Sequence, residues 1–561
     1  MEAEIRQIIE GVLHKLGVSG VDFVVEHPAD LSYGDYATNV ALVVSKQLGK
    51  PPKLIAQQIQ TSLEEKLTQV KNITIAGPGF INFCLSREYF TDQVKMVLLT
   101  ETDWGKNEIM KGKRVVVEYT DPNPFKEFHI GHMFTNIVGE SIARLFMMTG
   151  AEVKCVCYQG DVGLHVAHAI WGMKQLGITT KTKFTAKDLG SAYAKGASAY
   201  KEDETAKAEI TALNKVIYER TDEAVNDLYD AGRAVSLAYF ETIYALLGTK
   251  FDEYFFESEV AVEGKRLVLA HPDVFPLSDG AHVFVGENYG LHTRVFLNNQ
   301  GLPTYEAKEL ALAKLKDERL CGYDHSVIST AKEINEYFKV LKQAMSFVYP
   351  SLAAKTEHIG HGMVRLANGK MSSRTGNVIA ATEFIADVAD TARERIAAAG
   401  VADVSDELAN DIAVGAIKYA TLKGSILQDS VFDKDKALSF EGDSGPYLQY
   451  TYARILSVLE KANGNGVVPN IVSVPLVPYE LERMLYRFPE VIEVAYHERA
   501  PHKVVTFLTE LASVFNGFYA TEKIANANDV YASYKAAVAK AVAITLKNGL
   551  WVLGIKAPEK M

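Results

Sequence analysis

Between Arg114 and Gly163 the chain reads RVVVEYTDPNPFKEFHIGHMFTNIVGESIARLFMMTGAEVKCVCYQGDVG. A short β-branched run is followed by a loop, a long stretch of helical periodicity closed by Gly150, and a second short apolar run. Strand, helix, strand is the unit of a parallel sheet: parallel neighbours need a crossover, and the crossover helix covers one sheet face. This commits the region to a doubly wound α/β sheet, whose ligands sit at the carboxyl ends of the strands. The loop after the first strand therefore falls where chemistry is expected, and it carries Lys126, His129 and His132 in FKEFHIGHMFTN.

With 561 residues, the chain has room for roughly two to four domains around this unit. Residues 1–100 open with a helix, continue through PADLSYGDYATNVALVVSKQLGKPPKLIAQQI as a loop and two helical patterns, and end in ITIAGPGFINFCLS, a strand broken by a turn. They read as an α+β module, bounded by the polar turn ETDWGKNEIMKGKR. The α/β region is expected over 101–385, with a Lys/Glu/Ala-rich helical insertion at 171–245 whose charges mark solvated faces. Strand signals return in AHVFVGE and HTRVFLN, and helical ones in YEAKELALAKLKD and EINEYFKVLKQAMSFV. A helical connecting region at 386–443 and a helical domain at 444–561 complete the division.

No run of about 18 apolar residues occurs, and the charged amphipathic N-terminus lacks the pattern of a signal peptide, so no membrane contact and a cytoplasmic location are expected. Cys84, Cys155, Cys157 and Cys321 form no C-x-x-C pair; they read as buried thiols, and no metal site is predicted. A formal charge of −11 argues against a general nucleic-acid coat protein, yet leaves a specific RNA partner open, because binding depends on where basic residues cluster.

His129-Ile130-Gly131-His132 lies where the first strand meets its helix. Free backbone N–H groups and the positive end of the helix dipole favour a phosphate there, Gly131 lets a flat base approach, and both imidazoles can donate to phosphoryl oxygens. Taken alone, H-x-G-H fits equally a capping histidine beside a packed one. A second stretch, HIGHGMVRLANGKMSSRTGNVI, sets Lys370, Met371 and Ser372 in a loop of small polar residues suited to closing over polyphosphate.

H-x-G-H on the first turn and K-M-S-S-R downstream resemble the two signatures of class I aminoacyl-tRNA synthetases. The chain as a whole resembles the arginyl-tRNA synthetase family. LSYGDYATNVALVVSKQLGKPP with AGPGFINF is similar to that family's N-terminal tRNA-contacting domain, VVEYTDPNPFKEFHIGH to its extended H-x-G-H region, SGPYLQYTYARILSVL to the start of its helical anticodon-binding domain, and LKNGLWVLGIKAPEKM to its closing segment. The resemblance implies a Rossmann-like catalytic domain between an N-terminal α+β domain and a C-terminal all-α domain. It implies activation of L-arginine by ATP with Mg²⁺, and transfer to the 2′-hydroxyl of the terminal adenosine of tRNA(Arg), by a protein expected to be a monomer.

The implied ATP contacts are His129, Gly131, His132, Lys370, Met371 and Ser372, with His129, His132, Lys126 and Lys370 catalytic. Ser373 replaces the second lysine of the generic loop, and family members lacking that lysine tend to carry one where Lys126 stands. The implied arginine contacts are Glu118, Asp121, Asn123, His132, Tyr305 and Glu309. A guanidinium pairs best with a carboxylate fork and aromatic surfaces, and Tyr305 and Glu309 lie four apart on one helix face, a spacing that an ordinary amphipathic helix also produces. Glu309 stands where the family more often has aspartate, and Ile334 where it often has glutamine. GDVGLH resembles a loop at the mouth of the site and fits a ligand-free turn as well; FDEYFFES resembles a segment near the pocket, although core packing explains Phe255 and Phe256 equally. The alternatives are a class I synthetase of another specificity, a tRNA-binding paralogue without chemistry, and a small adenylyltransferase, which the extra terminal domains disfavour.

Overall fold

The computed structural model describes residues 1–367, 379–398 and 403–561. Its chain divides into two compact units, one of Met1–Trp104, Arg454–Pro489 and Leu511–Leu546, the other of Gly105–Ala453, Glu490–Glu510 and Lys547–Met561.

The larger unit is built on five parallel strands: β1 (Arg114–Glu118), β2 (Glu152–Gln159), β3 (Glu253–Phe256), β4 (His325–Ala331) and β5 (Thr356–His361), in the order β5-β4-β1-β2-β3. Val115, Val116 and Val117 of β1 are buried, as a central parallel strand requires. Val117 is in register with Val327 on one side and Cys155 on the other. The strand order reverses between β1 and β4, which opens a crevice at their carboxyl ends. Helix α1 (Ile130–Met148) packs on β1, β2 and β4 and ends before Gly150, whose φ of +81° suits the left-handed turn there.

Helices α2 (Leu164–Gln175), α3 (Ala186–Glu202), α4 (Glu204–Glu219) and α5 (Glu223–Leu247) form the insertion. Its solvated faces are only part of its structure. Leu189, Ile210, Ile217, Val225 and Tyr229 share a core with Val166, Ile170 and Phe125, so the loop before His129 is anchored in the insertion. Close helix contact explains two glycines: a Cβ on Gly172 would lie 1.9 Å from the Ala192 carbonyl oxygen, and one on Gly196 2.0 Å from that of His168. Helices α6 (Glu257–Ala270), α7 (Tyr305–Arg319) and α8 (Asn335–Val348) flank the sheet core, and a separate antiparallel sheet joins 277–278, 281–284 and 294–297. The closing segment is tied to this unit: Arg144 of α1 donates to the Trp551 carbonyl at 2.6 Å, and buried Lys418 to that of Gly554 at 2.6 Å. Three cysteines are buried or half-buried, but Cys321 is exposed, in a left-handed turn after α7 that offers no core position.

In the smaller unit, the N-terminal helix Glu2–Lys15, the helices Val40–Leu48 and Pro52–Glu64, and the hairpin of Val70–Ala76 with Phe80–Leu85 enclose one core. Tyr486 from the helical region joins it, packing against the rings of Tyr36, Tyr89 and His27. Arg87 pairs with the fully buried Glu482 at 2.6 Å and donates to Tyr534 Oη at 2.9 Å, and Arg483 pairs with buried Asp35.

Breaking a buried pair by removing one partner leaves an uncompensated charge and costs about 3–5 kcal/mol. Glu482→Ala is therefore expected to lower the thermal midpoint of this unit clearly, read by calorimetry, whereas Glu108→Ala, which removes an exposed pair with Lys111, leaves it in place.

Candidate active site

The loop from Tyr119 to Phe128 adopts a conformation L-residues rarely take: Thr120, Asp121 and Phe125 have φ of +83°, +45° and +68°. It is held from several sides. Tyr119 Oη donates to Glu140 of α1 at 2.7 Å, and Asn136 Nδ2 to Thr120 Oγ1 at 2.9 Å. Asp121 Oδ1 accepts the Tyr158 amide at 2.8 Å, and the Phe125 amide donates to Ser236 Oγ of α5 at 2.9 Å. Phe125 is fully buried against Gly232, where a Cβ would come within 2.3 Å of its ring.

His129 is the N-cap of α1. Its Nδ1 accepts the His132 amide at 3.4 Å, while His132 Nδ1 accepts the His129 amide at 3.3 Å, and the two rings stack with centroids 3.7 Å apart. Gly131 is needed for this fold-back, since a Cβ there would lie 2.9 Å from the His129 ring. The Ile130 amide donates to the Ile379 carbonyl at 3.1 Å. The expectation of free first-turn amides is thus corrected in part: the amides of Ile130 and His132 are taken, and beside the Gly131 amide the imidazoles can offer an anion their Nε2–H groups, because each Nδ1 is an acceptor. Burial, with the nearby Lys126 charge, pushes His129 down to about 4; burial and the adjoining His129 push His132 well below its usual value.

Lys126 Nζ lies 4.8 Å from the centre of the Tyr193 ring of α3, and its charge also lowers His165 and His168, after burial as the larger cause. Lys370, Met371 and Ser372, with Ser373, lie outside the described residues. Their C-terminal flank nevertheless meets the histidines: Ile379 accepts from Ile130, and the Ala381 amide donates to the Phe128 carbonyl at 2.8 Å. On the other flank, His361 at the end of β5 bonds Thr135 Oγ1 of α1 at 3.0 Å. Sequence reasoning missed His361 and Thr135, whose bond joins residues 226 apart.

Beside this cluster, a cavity of about 420 Å³ opens at the ends of β1 and β4. Glu118, Asp121, Asn123, Tyr305 and Glu309 all line it, so the structure brings the sequence-predicted arginine contacts together, except His132, which is not in the lining. Tyr305 stands at the rim, 57% exposed, with Lys308 Nζ over its ring. Glu257, Glu306 and Glu333 add three carboxylates that the sequence did not mark, together with Tyr158, Arg294 and Tyr337. Ile334 lines it too, with an apolar side chain.

Six carboxylates thus face one cavity. Lys316 holds Glu118 at 2.8 Å, Lys308 pairs with Glu257, and Arg294 pairs with Glu306 at 3.2 Å. Glu309 has no ion-pair partner among the described residues; burial and the Glu118 charge hold its carboxyl well above the usual range, and the same causes raise Asp121. The cavity is short of positive charge. Gly160 of GDVGLH contributes backbone to its wall, packed so closely on Asn123 that a Cβ would meet its Oδ1 at 2.4 Å. Asp161 of the same loop is fully engaged by Arg233, Tyr229 and Ser258.

The chemistry on offer is therefore two-sided: neutral imidazole donors and a lysine for an anion, beside a carboxylate-rich cavity for a compact cation. Three sequence models of known families match the chain: tRNA synthetases class I (R), catalytic domain, over residues 93–434; DALR anticodon binding domain over 448–561; and arginyl tRNA synthetase N terminal domain over 3–85. An arginine–tRNA ligase of Clostridioides difficile is 29% identical over 563 residues, 98% of this chain and 97% of its own. The solved structure of Thermus thermophilus arginyl-tRNA synthetase is 25% identical with a TM-score of 0.82, covering 100% of both chains. That of Plasmodium falciparum arginyl-tRNA synthetase, at 21% identity and a TM-score of 0.80 over 100% of this chain and 99% of its own, shares the fold.

The folded chain takes up a proton on His129 only near pH 4, the unfolded chain near 6.5. Folding therefore loses stability as pH falls between those values. Nitrogen-15 spectra of the imidazoles are expected to show His129 as the neutral Nε2–H tautomer from about pH 5 upward; a titration near 6.5 would contradict the capped, buried arrangement.

Proposed function

The chain belongs to the class I (R) tRNA synthetases, and we propose that its carboxylate-lined cavity holds L-arginine while the histidine-capped turn of α1 holds the phosphates of ATP. It is an ATP-dependent arginine–tRNA ligase, with arginine, ATP and tRNA as its partners. The observation that carries the assignment of the cavity is Glu309: a carboxylate without a counter-ion among the described residues, in a wall of six carboxylates.

In the proposed mechanism, Glu309 takes the guanidinium of arginine as a planar fork, and Tyr305 covers it from the rim. Asp121 and Asn123 at the end of β1 orient the α-amino and α-carboxylate groups toward α1; Glu118, held by Lys316, keeps the wall charged. The substrate carboxylate is already ionised at neutral pH, so it attacks the α-phosphate of the MgATP substrate without a general base, and pyrophosphate leaves. Catalysis then rests on positioning and charge stabilisation. His129 and His132 donate Nε2–H to phosphoryl oxygens as neutral groups. Lys126, with Lys370, supplies positive charge, and Lys126 replaces the lysine absent at Ser373. Transfer of arginine to the 2′-hydroxyl of the terminal adenosine follows, as in other class I enzymes.

The rest of the assignment is proposed on the same basis. Residues 1–100 contact tRNA, 101–385 carry the chemistry, 386–443 connect, and 444–561 read the anticodon. The protein works as a cytoplasmic monomer. No helix among the described residues is long and apolar enough to cross a membrane.

Aminoacylation of total tRNA with each amino acid tests this. Arginine-selective charging is expected, with Glu309→Ala raising the KM for arginine and Lys126→Ala lowering the activation rate; tRNA binding without charging would favour a non-catalytic paralogue, and selective charging with another amino acid a different specificity. Because Glu309 starts above the usual carboxylate range, arginine should bind with release of a proton, and more tightly as pH rises toward that raised value. Titration calorimetry in buffers of different ionisation enthalpy reads that release.

A further inference from the structure

Two hydroxyls in the cavity wall are left over by this mechanism, beside one unpaired buried donor, Arg294 Nε. The hydroxyls of Tyr158 and Tyr337 are buried, line the cavity, and have no hydrogen-bond partner among the described residues. Buried hydroxyls are nearly always paired, and an unpaired one costs folding energy, so two in one wall mark a place where a ligand supplies the partner. We propose that Tyr158 and Tyr337 complete the arginine pocket: their hydroxyl oxygens accept the guanidinium N–H groups that Glu309 does not reach. This rests on the arginine reading above.

The protein fixes both rings. Tyr158, on β2, is 7% exposed within the sheet core. Tyr337 lies in the first turn of α8, with the Arg294 guanidinium 5.4 Å from its ring centre and Phe338 edge-on at 5.0 Å. Glu309 is the strongest charge acting on Tyr337, and Glu257 and then Glu309 act on Tyr158; after burial, these charges keep both phenols protonated. Both hydroxyls therefore lie in the electrostatic reach of the carboxylate that takes the guanidinium.

The donor count explains the arrangement. A guanidinium presents five N–H groups in one plane, of which a carboxylate takes two; an ammonium presents three in a tripod. Acceptors on three separate side chains suit donors spread around the edge of a guanidinium, whereas an ammonium gathers its three on one nitrogen and cannot reach all of these oxygens at once, which makes the pair a determinant of arginine over lysine. It also accounts for Ile334: that side chain brings no polar atom to the wall, and Tyr337, three residues further along, brings one to the same cavity.

The test compares the intact enzyme with Tyr158→Phe, Tyr337→Phe and the double variant, by arginine-dependent pyrophosphate exchange in the presence of tRNA and by thermal unfolding without ligand. Losing a hydrogen bond to a charged group is expected to raise the KM for arginine about tenfold in each single variant. The KM for ATP and kcat should stay within about twofold, and arginine-over-lysine selectivity should fall by a similar factor. The unfolding temperature should hold or rise, because an unpaired hydroxyl has been removed. If the intact enzyme activates arginine and both single variants keep its KM within about twofold, the hydroxyls face only water and the proposal fails while the arginine reading stands. A fall in unfolding temperature in step with the affinity loss overturns it in favour of a packing role. An intact enzyme that activates no arginine removes the reading and the proposal together.

Discussion

The site depends on the ten residues from Tyr119 to Phe128, held in a backbone path that costs energy to maintain. Left-handed geometry at Thr120, Asp121 and Phe125 costs on the order of 1–3 kcal/mol at each residue and persists only where the surroundings determine it. Here they do so through Asn136 of α1, the Tyr158 amide of β2, and Ser236 and Gly232 of α5. The loop thereby points Asp121 and Asn123 into the cavity and delivers His129 to the start of α1. Without the insertion, Phe125 would have no core to enter, and Lys126 would have no fixed base.

Opposite charge requirements are met within one crevice by different means. The cavity side concentrates carboxylates; Lys316, Lys308 and Arg294 pair with three of them, which leaves Asp121, Glu309 and Glu333 without an ion pair among the described residues, and on the proposed reading Glu309 takes the incoming cation. The helix side does not answer with an equal crowd of cations. Its histidines are pushed down by burial and by Lys126, and so remain donors without charge. On the proposed mechanism this matters: a pair of imidazolium ions beside the cavity would compete with arginine for Glu309, whereas neutral donors orient phosphate and leave the carboxylate free.

What the sequence made legible follows from range. The unit β1-α1-β2 is contiguous and periodic, and so are the N-terminal helices and hairpin, and these stand where the pattern puts them; Tyr36–Thr38, inside the stretch read as a loop, is instead a strand paired with Phe80–Leu85 and Val25–Glu26, too short to show a period of its own. By contrast, β3 is four residues long, and β4 mixes Ser326 and Ser329 into its buried positions, so neither carries a clear apolar signature. The same limit divides the site residues. Glu118, Asp121 and Asn123 are neighbours, and Tyr305 and Glu309 share a helix face, so motif and spacing reach them. Glu257, Tyr158 and Tyr337 come from α6, β2 and α8 and meet only because the sheet order brings those ends together. Cys321 fails for the opposite reason: composition favours burial for cysteine in general, and a single turn after α7 overrides it.

The place of Lys126 bears on why a charge can move between motifs. A lysine on a loop of small polar residues must lose much of its side-chain freedom to act at one point, at a cost of about 1.5–2 kcal/mol. Lys126 follows a fully buried phenylalanine and lies over the face of Tyr193, so part of that restriction is already imposed by α3 and α5. On the proposed reading, a chain that lacks the second lysine of its phosphate-closing loop gains a charge on a base fixed by α3 and α5. The four helices of the insertion, which by charge pattern alone pass for solvated surface, then become part of the catalytic scaffold.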